Sequence, residues 1–166
     1  TFDYDFTSVI ANGCCVVQIG VGQCCRNGAI TTGGSGNDFW TYCEIDLCRK
    51  KIPGKCNSAP SLTSEPIAIL CCNQPFYYNN GASDTTDFDS LSYSWSEPLT
   101  GWSGKTTWSG GRSATSPFED YWPSGYDKTR GPNPNVNPPI GTFLDPETGD
   151  IIFTPTNCSE VTIASI

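Results

Sequence analysis

Ten cysteines stand among 166 residues, and six of them form three adjacent doublets: Cys14-Cys15, Cys24-Cys25 and Cys71-Cys72. The others are Cys43, Cys48, Cys56 and Cys158. Histidine is absent, and no two cysteines have the two-residue gap of a zinc knuckle or redox motif. A zinc site would have to be all-thiolate at unfamiliar spacing. Disulfides in an oxidising compartment are therefore the expected use of all ten. Each native bridge adds about 2–4 kcal/mol. That matters here, because apolar residues make up only 37% of the chain and leave a thin core. Neighbours on a strand point to opposite faces, so the members of a doublet are expected to bond different partners. An even count permits five bridges; the pairing does not follow from sequence.

The length allows one large or two small domains. Composition shifts near Cys56-Asn57, which divides the chain into an N-terminal β lobe, residues 1–56, and a main β module, residues 57–166. Methionine is absent and Thr1 opens in mid-pattern, as expected of a piece of a larger protein. No apolar run approaches the length of a membrane span, so membrane insertion is not expected. A net charge of −8 argues against nucleic acid or anionic lipid as partner, since both need basic surface.

Strand signals are frequent and helical periodicity is nearly absent. Phe2, Tyr4 and Phe6 alternate. Residues 14–21 are β-branched and apolar. Phe39, Thr41, Cys43, Ile45 and Leu47 alternate onto one face. Residues 66–72, 91–95, 150–154 and 161–166 read as further strands. Asn12-Gly13, Asn27-Gly28 and Asn80-Gly81 mark turns. Asp145-Pro146-Glu147-Thr148-Gly149 marks a hairpin between Phe143-Leu144 and Ile151-Ile152-Phe153. Short strands at this spacing predict an all-β sandwich over a parallel α/β fold.

Two segments carry the candidate chemistry. Asp84, Asp87 and Asp89 fall within six residues, ahead of the alternating Leu91, Tyr93 and Trp95. Clustered carboxylates repel one another, and their hard oxygens suit calcium. The bland alternative is a solvated turn in which one aspartate bonds backbone amides. Residues 100–139 fit no strand; they form a long irregular loop with Trp102, Trp108, Tyr121, Trp122 and Tyr126. So long a loop is often functional. Its aromatic rings suit contact with a sugar or partner protein, or else pin the loop to the sandwich. Trp95 lies in strand register and reads as core. Without histidine no Ser-His-Asp or Cys-His arrangement exists. A carboxylate pair for glycoside hydrolysis, with Glu119 or Asp120, is the remaining catalytic option.

Several blocks in order resemble a known group. They are Cys24-Cys25-Arg26-Asn27-Gly28-Ala29-Ile30, Asn57-Ser58-Ala59-Pro60 and Asn79-Asn80-Gly81-Ala82-Ser83-Asp84. Asp89-Ser90-Leu91-Ser92-Tyr93, Pro138-Pro139-Ile140-Gly141 and the hairpin from Leu144 to Pro155 complete the pattern. Together they resemble the large surface proteins that Bacteroidota export by type IX secretion, above all the gliding-motility adhesins of the SprB type. The resemblance implies a disulfide-braced immunoglobulin-like or cadherin-like β-sandwich at the bacterial cell surface. It implies a non-catalytic role in adhesion or as a stalk, with neighbouring modules of the same polypeptide or a surface glycan as partners. In cadherin-like modules the acidic turn often reads Asp-x-Asp-Gly-Asp-Ser-Leu; here residues 84–91 carry one extra residue, and Phe88 stands in place of the glycine.

Overall fold

The computed structural model describes residue 13 and residues 15–48, 58–65, 67–86 and 88–166. Among them the fold is essentially all-β. Five strands form two small antiparallel sheets, with one 3-10 turn, Lys128–Arg130, and no α-helix. The expected strand at Phe2, Tyr4 and Phe6 lies outside the described residues. No helix among those described is long and apolar enough to cross a membrane.

β1 (Val16–Gln23) and β2 (Phe39–Asp46) pair along their whole length, with Val16 opposite Asp46 and Gln23 opposite Phe39. Directly opposed residues share a face. Val17, Ile19 and Val21 therefore lie with Ile45, Cys43 and Thr41, and Gln18, Gly20 and Gly22 lie with Glu44, Tyr42 and Trp40. The alternation from Phe39 is kept, yet neither face is buried throughout: Val17, Ile45 and Leu47 are half-covered on one side and Trp40 on the other. Phe39 is exposed, whereas the Trp40 ring lies across Gly20 and Gly22. A Cβ at Gly20 would sit 2.6 Å from Trp40 Cζ2, so the missing side chains are what admit the indole.

β3 (Phe76–Tyr78), β4 (Phe143–Leu144) and β5 (Ile151–Phe153) form the second sheet in the order β3-β5-β4. The expected β4–β5 hairpin is present. Asp145 Oδ1 accepts from Glu147 N and Thr148 N at 2.8 and 3.0 Å, and Gly149 turns the chain at φ 76°. These two hydrogen bonds hold the Asp145 carboxyl below the usual carboxylate range. Behind the sheet lies an aromatic core. Phe153 is 1% exposed; Phe118 stacks on it at 4.3 Å and Phe76 meets it edge-on at 5.7 Å. Trp95 touches Phe118 edge-on at 6.5 Å, in keeping with its expected core position. Burying such a ring contributes about 1.5–3 kcal/mol.

Three expected strands do not form. Residues 67–72 are unpaired, with Ile69 97% exposed. Residues 91–95 keep the alternation, Leu91, Tyr93 and Trp95 half-buried and Ser92 and Ser94 exposed, but they lack a ladder. Residues 161–166 run beside other chain through isolated bonds, Thr31 N to Val161 O at 2.8 Å and Ser96 N to Ser165 O at 2.8 Å. Period-2 patterning is local, whereas a strand needs a partner, and the partner is set by the whole fold.

Among the described residues three disulfides join Cys15 to Cys48, Cys24 to Cys25 and Cys72 to Cys158. The doublet rule fails at Cys24-Cys25 because these residues lie just past the end of β1, where strand alternation no longer separates them. Cys43 and Cys71 are exposed thiols, outside any bridge. Cys14 and Cys56 lie outside the described residues, as does the expected boundary at 56/57. Described residues on its two sides are hydrogen-bonded together. The Arg26 guanidinium bonds Leu99 O at 2.6 Å and Thr106 Oγ1 at 2.5 Å, and Trp40 N bonds Leu99 O at 3.2 Å.

Candidate functional site

The acidic turn is placed only in part. Asp84 Oδ1 accepts from Thr86 N at 3.2 Å, the local capping that short aspartate side chains make in turns, and from the distant Ser58 Oγ at 3.4 Å. Asp89 is exposed, and Asp87 lies outside the described residues. Phe88 adopts φ 59°, the left-handed region that favours glycine. Among the described residues neither Asp84 nor Asp89 belongs to a cluster of three carboxylates or thiols. The one such triplet there is Cys24, Cys25 and Asp38, whose two sulfurs are already bonded to each other.

The five loop aromatics separate into two groups. Trp108, Tyr121, Trp122 and Tyr126 are half-buried and pinned. Trp108 Nε1 donates to Glu97 Oε2 at 2.8 Å. Tyr121 is held through its backbone, its N on Thr154 O and its O on Gly141 N. Trp122 Nε1 donates to Asp120 Oδ1 at 2.6 Å, and its ring edge packs on Gly141. Tyr126 leans on Trp122 at 5.6 Å, with Lys128 Nζ 4.9 Å from the Trp122 ring centre. These rings fasten the loop down. The loop also supplies Ala114, Pro117, Phe118 and Pro139 to the core, so it is a folded part of the module.

Beside them opens a shallow groove of about 620 Å³, lined in part by Arg112, Glu119, Asp120, Tyr121, Trp122 and Lys128. Its arginine is ion-paired. Arg112 bonds Glu119 Oε2 at 2.6 Å and Glu160 Oε2 at 2.8 Å. Burial works against its charge, and the two carboxylates more than offset that, holding its pKa above the ordinary arginine value. Asp120 accepts from Trp122 Nε1 and, at 2.7 Å, from Thr142 Oγ1. Both groove carboxylates, Glu119 and Asp120, thus accept hydrogen bonds from neighbouring side chains.

The fifth aromatic differs. Trp102 is 56% exposed and leaves the loop to lie on the first sheet, 4.9 Å edge-on from Trp40 and 6.5 Å from Tyr42. Trp40 and Tyr42 escaped the sequence reading as surface groups. The signal was present: Gly20 and Gly22 alternate on one strand as Trp40 and Tyr42 do on the other. What could not be read was that these pairs face each other.

Compared with known proteins, the chain matches no family model, no curated protein and no solved structure.

Proposed function

We propose that this chain is a non-catalytic extracellular module of a large bacterial surface adhesin, serving as stalk and contact unit, with an immunoglobulin-like or cadherin-like β-sandwich fold. The observation that carries the reading is the bracing. Cys15–Cys48 and Cys72–Cys158 close separations of 33 and 86 residues in a chain whose aromatic core is small. In the chain-entropy picture those two bridges are worth about 3.7 and 4.6 kcal/mol. A module that must hold its shape outside the cell, with few apolar residues to bury, draws its stability from such links. The block resemblance to SprB-type gliding adhesins supports the same reading. Calcium at Asp84, Asp87 and Asp89 belongs to the proposal as a stiffening ion. Neighbouring modules and surface glycans are the proposed partners, met through residues 100–139.

The test is adhesion blocking. Producer cells are allowed to settle on a surface in the presence of Fab fragments raised against this chain. A marked drop in attachment is expected, relative to irrelevant Fab. Attachment and gliding left unchanged at saturating Fab would overturn the adhesive role.

A further inference from the structure

We infer that the face of the β1–β2 sheet that carries Trp40, Tyr42 and Trp102 binds a neutral saccharide chain. It rests on the adhesive reading only for what the face meets outside the cell; the chemistry stands on the face itself. Three aromatic rings adjoin there, with Trp102 tilted 60° to Trp40 and 44° to Tyr42, which makes a shallow angled trough. Trp102 and Tyr42 are 56% and 44% exposed, although neither is needed in the core around Phe153. Gly20 and Gly22 lie beneath the Trp40 ring, so the indole rests flat against the sheet and forms the floor beside Trp102 and Tyr42.

The next cross-strand pair on the same face is Gln18 with Glu44, joined by a 3.0 Å bond from Gln18 Nε2 to Glu44 Oε2. It lies two residues along each strand from Gly20 and Tyr42, a step of about 7 Å. Both side chains are exposed. This sequence of groups matches a pyranose. The C–H face of a sugar ring carries slight positive charge and stacks on the negative face of an aromatic ring. The hydroxyl rim needs donors and acceptors at the edge of that contact, and an amide beside a carboxylate supplies both.

Charge sets the class of sugar. Neither strand contains lysine or arginine, while Glu44 and Asp46 stand on this face and the whole chain carries −8. A polyanionic glycan would be repelled. An open, two-stranded surface rather than an enclosed cavity favours an extended chain over a single sugar. An apolar protein partner fits less well, because Gln18 and Glu44 would have to be desolvated.

Affinity electrophoresis of the intact, oxidised chain tests this. Native gels are cast with neutral polysaccharides (β-1,3-glucan, xylan, galactomannan, hydroxyethylcellulose) and, separately, with polygalacturonate. Retardation in at least one neutral gel and none in polygalacturonate is expected. Trp102→Ala and Tyr42→Ala should each weaken retention at least tenfold. Gln18→Ala, which leaves all three rings in place, should weaken it several-fold, and Tyr77→Ala on β3 should leave it unchanged. Near-UV circular dichroism confirms that each variant is folded. Retardation in no neutral gel, retardation by polygalacturonate alone, or retention unaltered in the folded Trp102→Ala and Tyr42→Ala variants overturns the inference. Failure here leaves the cell-adhesion result standing, and unchanged cell attachment would leave the gel result standing.

Discussion

Phe118 stacks on Phe153 with ring centres 4.3 Å apart and planes 12° from parallel. One ring belongs to the irregular segment 100–139 and the other to β5, so the long loop closes the core that the second sheet leaves open. Replacing Phe118 by alanine should cost about 3 kcal/mol. Urea unfolding should show the lower midpoint with little change in slope. A midpoint unmoved from wild type would mean that the loop is not part of the core.

The Cys72–Cys158 bridge should be the largest single covalent contribution. The double variant Cys72→Ser, Cys158→Ser is expected to lose about 4.6 kcal/mol in the chain-entropy picture. That loss is read by thermal melting under non-reducing conditions, with alkylation and mass measurement to confirm which thiols are free. Removing Cys24–Cys25 in the same way should change stability far less, since that bridge spans a sequence separation of 1.

Gly149 is fixed by two constraints at once. Its φ is 76°, and a Cβ there would meet Tyr93 Cε1 at 2.6 Å. Gly149→Ala should therefore destabilise by about 1–3 kcal/mol, through left-handed strain plus displacement of the Tyr93 ring. Pairing it with Tyr93→Ala in a double-mutant cycle should recover the clash part and leave the strain.

Acid should weaken the fold in a defined window. Hydrogen bonds from Thr129 to Asp127, and from Glu147 and Thr148 to Asp145, lower the folded pKa of both carboxyls. The unfolded chain then binds more protons between the folded and unfolded values, so stability rises with pH there. The contribution is complete above the unfolded aspartate value of about 3.9 and is lost as pH falls through the folded values. Melting curves from pH 6 to pH 2 should show this, and Asp145→Asn should flatten the slope below about pH 4.

Calcium at the acidic turn makes a measurable difference or none. At 10 mM calcium and a dissociation constant near 1 mM, linkage adds about 1.4 kcal/mol. The melting temperature should then rise by roughly 3–6 °C and return with chelator. Equal midpoints with and without calcium would remove the ion from the account.

Much of the fold could be read locally. Residues 16–23 and 39–46 announce themselves by β-branched and aromatic runs, and the β4–β5 hairpin by Asp145-Pro146-Glu147-Thr148-Gly149. Residues 67–72 and 161–166 carry the same local signal without a ladder partner, because pairing is decided at a distance. Phe118, between Pro117 and Glu119, has no periodic neighbours to mark it as core. The site was legible in its residue types and not in its place. Trp102 was singled out with four other loop aromatics, yet its contacts are with Trp40 and Tyr42 on the first sheet, which only the register opposite Gly20 and Gly22 explains.

The central claim is that the module works outside the cell as part of a surface protein. The direct measurement is antibody labelling of intact, unpermeabilised producer cells, before and after brief external protease treatment. The account predicts strong labelling that the protease removes. Labelling that appears only after permeabilisation would contradict it.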